Sequence, residues 1–251
     1  MEKVKSKSLK FKLITFAILS VIAAGVVVNG ALKNNIRSNN AIEISNKAEV
    51  KDSKTAEIKP QQLEGSETKE QQQLKQIEEG KQQQLKKKQE ELEKKWKIGY
   101  DEFFAKQYEK AIETERQVIK EDPTFYKAYA VEGIALAYSG NFDTAMQQID
   151  KSLELKPDYG YARFNKALAN ELYGNYDEAI KWYEKALEVE KFEWSYYGIA
   201  SVYGRKGDVS NTVKYLKLAI DMNVSIKDVA KDEEDFDKVK ESEEFKKLIE
   251  K

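Results

Sequence analysis

The chain repeats itself. Sliding it by 34 residues lays Gly140-Asn141-Phe142-Asp143-Thr144-Ala145 on Gly174-Asn175-Tyr176-Asp177-Glu178-Ala179. The same shift sets Ser152 and Leu153 on Ala186 and Leu187, and Pro157 on Pro123. At a shift of 33 a further copy follows, with Gly207, Asp208, Thr212, Ala219 and Ile220. A fixed period of this length with a turn signal in its middle is the pattern of stacked helix-turn-helix units.

Two helices of about a dozen residues cannot bury their apolar faces alone, so neighbouring pairs must stack. Close crossing needs small side chains, and three columns supply them: Gly99, Gly133, Ala167, Ala200; Ala111, Ala145, Ala179, Thr212; and Val118, Ser152, Ala186, Ala219. Tyr108, Phe142, Tyr176 and Val209 fill one larger column, and Ile119, Leu153, Leu187 and Ile220 another. Gly140, Gly174 and Gly207 suit helix ends that need positive φ, whereas the first unit has Lys106 there.

These residues resemble the tetratricopeptide repeat, with its small residues at three positions, an aromatic after the turn glycine and a closing proline. The resemblance implies an all-α, right-handed α-solenoid of four units near 92–125, 126–159, 160–192 and 193–225. As a domain the array is set at 96–225, with a C-terminal cap at 226–251. The outer units match less well, as terminal repeats do. In the cap, Phe236, Val239, Phe245 and Leu248 recur at helical spacing.

The resemblance also implies that the first helix of each pair lines a groove for a peptide or helix of another protein. Carried over by repeat position, the candidates are Trp96, Tyr100 and Phe104, then Lys127, Ala130, Ile134 and Tyr138. Unit three adds Tyr161, Phe164, Asn165, Leu168 and Glu171, and unit four adds Trp194, Tyr197 and Ser201. Aromatics anchor interfaces well, but at helical spacing they equally fill the space between helices. The family's Lys/Asn/Arg clamp for a terminal carboxylate is not matched, since Trp96 and Tyr100 hold its first two positions.

Composition narrows the chemistry. The chain has neither Cys nor His, which removes thiolate nucleophiles, zinc–thiolate sites and the commonest general base. Neither a phosphate-cradling glycine loop, a nucleophile elbow nor a calcium loop is found. No catalytic residue, cofactor or metal is therefore expected. Charged residues make up 35% of the chain at a net charge of −1, and the arginines are only Arg37, Arg116, Arg163 and Arg205, so nucleic acid is not an expected partner.

Ahead of the array, residues 1–12 form a basic tail with Lys3, Lys5, Lys7, Lys10 and Lys12. Residues 13–32 are apolar enough to cross a bilayer, and the lysines predict a cytoplasmic N-terminus with the repeats outside. The expectation is a single-pass bacterial membrane protein contacting lipid through 13–32; a cleaved signal ending near Ala31 would instead give a secreted protein. Residues 33–60 read as a disordered linker. Over 61–95, Gln-Gln-Leu recurs at Leu63, Leu74 and Leu85, a spacing of 11 that places the leucines on one helix face. That density is thin for a coiled-coil seam, so a single charged helix acting as a stalk is expected, with weak self-association as the alternative. If helical, 68–95 spans about 40 Å.

Overall fold

The computed structural model describes residues 69–250. The basic tail, the apolar stretch 13–32 and the linker 33–60 lie outside the described residues. No described helix is long and apolar enough to cross a membrane.

Turn glycines and prolines fall between the helices. The described residues form ten α-helices and one 3-10 turn: α1 Lys69–Phe104, α2 Tyr108–Glu121, α3 Tyr126–Tyr138, α4 Phe142–Leu155, α5 Gly160–Leu172, α6 Tyr176–Val189, α7 Glu193–Lys206, α8 Val209–Met222, α9 Ile226–Lys231, the turn Glu234–Phe236 and α10 Glu243–Glu250. The C-terminal part of α1 with α2, then α3–α4, α5–α6 and α7–α8, are the four helical pairs. Consecutive pairs touch through α2 and α3, α4 and α5, and α6 and α7, and also through the first helices themselves, α3 on α5 and α5 on α7.

Each pair closes with the same backbone device. In the second, Gly140 N–H donates to Ala137 O at 3.2 Å and Asn141 N–H to Leu136 O at 2.9 Å, which satisfies two orphaned carbonyls of α3. The third pair repeats it with Gly174 and Asn175, the fourth with Gly207 and Asp208, the first with Lys106 and Gln107. All four turn residues have positive φ, including Lys106 at 61°. The turn is thus made in the first unit without glycine.

The small columns do what close crossing requires. Ala111, Ala145, Ala179 and Thr212 are all 0% exposed. A Cβ on Gly133 would lie 2.5 Å from Ile149 Cγ1, so α3 and α4 touch at backbone distance there. Burying a residue such as Ile149, Ile199 or Leu216 stabilises the stack by about 1.5–3 kcal/mol each. A contact absent from the small-residue columns appears at Gly198, where the Tyr183 ring occupies the space of the missing side chain.

The chain separates into two compact units, the array from Glu90 onward and a unit ending at Gln89. In the latter, residues 71–89 are all exposed helix, with Leu74, Ile77 and Leu85 among the exposed apolar side chains. The boundary expected at residue 95 falls inside α1, and burial begins at Leu92.

Candidate functional site

The first helix of each pair carries its groove candidates one turn apart, so each set shares one helix face. Their surroundings differ along the array. Trp96 and Tyr100 are buried, and Phe104, Lys127, Tyr138 and Tyr161 are half-buried. Ala130, Ile134, Phe164, Asn165, Leu168, Glu171, Trp194, Tyr197 and Ser201 are buried.

At the upstream end the structure brings candidates from three units together. Tyr100 lies 5.4 Å from Trp96, 4.6 Å from Phe104 and 6.0 Å from Tyr161, centroid to centroid. Tyr138 lies 5.7 Å from Phe103 and stacks on Tyr108 at 5.3 Å. Lys127 Nζ sits 4.9 Å over Trp96 and pairs with Glu93 at 2.7 Å, a bridge between α3 and α1. Half-buried Phe104 and Tyr161 thus flank Tyr100, and Lys127 covers the Trp96 ring beside it.

Downstream the same face is tied into the fold. Phe164 packs edge-on against Tyr183 and Phe192. Asn165 donates to Ala130 O at 3.2 Å, joining α5 to α3. Glu171 accepts from Tyr183 Oη at 2.7 Å and Ser201 Oγ at 2.8 Å. Burial first, then the Glu171 charge, pushes the Tyr183 phenol well up, so it stays a neutral donor. Tyr197 meets Trp194 at 5.3 Å and Phe236 of the cap at 5.7 Å, and Ser201 Oγ, with one hydrogen to share between Glu171 and Asp235, also contacts Asp235, which pairs with Arg205. A Cβ on Gly204 would lie 2.7 Å from both Asp235 O and Phe236 Cδ1. The cap therefore seats directly on the α7 face that carries the unit-four candidates.

Sequence reasoning missed two groups. Glu233 and Asp235 are buried cap carboxylates, the second brought to Ser201 by the docking of the turn. Glu115 is buried in α2. A column comparison finds it, because the equivalent residues at the repeat period are Ile149, Tyr183 and Leu216. Among the described residues no group of His, Cys, Asp or Glu is placed to hold a metal ion.

Paired helices with small residues at their crossings, stacked in register, define a helical-repeat solenoid. Residues 131–192 match the tetratricopeptide repeat family model, and residues 195–223 match a second model of the same description, so this stretch is built of tetratricopeptide repeats. A thermophilic TPR protein of Thermus thermophilus is similar in structure, at a TM-score of 0.52 and 17% identity, covering 59% of this chain and 82% of that one. PilF of Pseudomonas aeruginosa superposes at 0.54 with 14% identity, covering 65% of this chain and 69% of its own. At these identities the likeness is one of fold. The MamA protein is 26% identical, covering 56% of this chain and 78% of that one, with a TM-score of 0.46, too loose a superposition to carry argument.

Proposed function

We propose that the chain is a membrane-tethered, extracytoplasmic scaffold that holds a peptide or helix of another protein along the groove face of its repeats. The observation that carries this is the gathering of half-buried Phe104 and Tyr161 about Tyr100, with Lys127 over the neighbouring Trp96, drawn from three consecutive units. Amphipathic rings of this kind supply contact area at low entropic cost. Trp96, Tyr100, Phe164 and Asn165 support that face from within, whereas Trp194 and Tyr197 lie on the α7 face taken up by the cap. The tether rests on the lysine-led apolar stretch at 13–32, a charge pattern that supports an array on the outer side of a bacterial membrane.

Phe104→Ala combined with Tyr161→Ala tests the groove, because half-buried positions tolerate truncation better than buried ones. Binding of a cross-linked and isolated partner is expected to fall at least tenfold with the helical signal unchanged. Undiminished binding by a folded variant would sink the assignment. The mass of the mature protein tests the tether: full length in the membrane fraction supports it, and a start near Ala31 in the medium makes the protein a secreted adaptor.

A second reading, a self-associating spacer of an envelope assembly, draws on Leu74, Ile77 and Leu85, which are exposed on α1. Sedimentation of wild type against Leu74→Lys with Leu85→Lys distinguishes it; an unchanged mass removes it.

A further inference from the structure

The column formed by Glu115, Ile149, Tyr183 and Leu216 plugs the inside of each helical pair, and all four residues are 0% exposed. Three of them are apolar or carry a largely apolar ring. Glu115 is a carboxyl group, and neither of its oxygens has a hydrogen-bond partner among the described residues. It is wedged against the backbone of α1: a Cβ on Gly99 would lie 2.5 Å from Glu115 Oε1 and 2.9 Å from its Cδ. Ile149 meets Gly133 in the same way one unit on, so the packing is regular and only the chemistry of the plug differs.

The acidic groups that act on Glu115, Glu132 and Glu102, make its ionised form worse. On α1, Glu102 accepts from Thr114 Oγ1 at 2.7 Å. On α3, the buried Glu132 engages Arg116 Nε at 2.8 Å, which directs the cation next to Glu115 elsewhere. The phenols of Tyr159 and Tyr161 also feel the Glu115 charge and supply no positive group. Burial first, then Glu132 and Glu102, pushes the Glu115 carboxyl up to about 10.

We propose that Glu115 is a proton-linked latch inside the first repeat, keeping α2 seated against α1 while this carboxyl holds its proton. The folded value lies above the unfolded one of 4.5, so the contribution of Glu115 to stability is complete below about 4.5 and erodes as pH rises from there through about 10. The part affected bears Trp96, Tyr100 and Phe104, so the first quarter of the groove face loosens in alkali ahead of the rest.

Amide hydrogen exchange on the full chain tests it, comparing wild type with Glu115→Gln over roughly pH 5 to 9, since one linked proton changes an opening constant about tenfold per pH unit. In α2, the ratio of the wild-type opening constant to that of the variant is expected to rise with that slope, while in α8 it stays flat. Should Glu115→Gln fail to fold, Glu115→Ile takes its place, copying the plug of the second pair. A flat ratio in α2, or an equal rise in α2 and α8, overturns the latch.

Discussion

Lys106 holds the left-handed backbone that Gly140 holds 34 residues later, with φ of 61° against 92°, and donates the equivalent backbone hydrogen bond. A side chain in this region costs about 1 kcal/mol that glycine avoids. Lys106→Gly is therefore expected to stabilise the array by about 0.5–1 kcal/mol, and Gly140→Ala to destabilise it by about 1 kcal/mol. Nothing lies within 4 Å of a Cβ on Gly140, so its loss is strain alone. Urea unfolding of both variants measures the pair; the same sign for both would refute the assignment of strain.

Glycine to alanine should have opposite effects at two helical positions. Gly80 is exposed with nothing within 4 Å of a Cβ, and there the change is expected to gain up to about 1 kcal/mol of helix propensity. At Gly133 the new methyl would meet Ile149 Cγ1 at 2.5 Å and Ala145 O at 3.0 Å, one of them backbone. A net loss of about 2 kcal/mol is expected there. Helicity by circular dichroism reads the first and thermal unfolding the second.

Asp208 caps α8, accepting from Asn211 N–H at 3.0 Å and from Asn211 Nδ2 at 2.7 Å. Those hydrogen bonds, the backbone one first, hold its carboxyl below the usual range. Its stabilisation is then present above the unfolded value of 3.8 and is lost as pH falls through the lower folded one. Asp208→Ala should cost about 1 kcal/mol at neutral pH. Wild type and variant should converge as the solution is acidified below that range, and a constant difference in stability would show that the cap acts otherwise.

The cap offers a local test. Gly204→Ala places a methyl against Asp235 O and Phe236, and is expected to unseat residues 232–250 while the first three pairs stay folded. Limited proteolysis should show cleavage there at least several-fold faster than in wild type, and equal rates would mean the cap shifts to absorb the methyl.

Much of this architecture was legible in the residues. The turn glycines, the small columns and the apolar plugs each obey a local rule, and local rules repeat with the period. What escaped depends on partners far along the chain. Lys106 takes a conformation that its own side chain disfavours, because the flanking helices impose the turn. The burial of Trp194 and Tyr197 cannot be read from α7, since Phe236 reaches Tyr197 only after the chain folds back through α9. Ring spacing along a helix is the same whether a face meets solvent or another segment, so groove and core candidates look alike in sequence.

The four turns are made from backbone atoms bonded in one pattern, so the joints of this molecule are interchangeable while its ends are not. A chain so built can change length by whole units, each gained or lost between identical joints with the neighbouring helices still in phase. Glu115 at one end and the seat of Asp235 and Phe236 at the other act as bookends that would survive such editing. Copy number in relatives of this chain should accordingly vary in the interior, between residues 126 and 192, and hold constant at its margins.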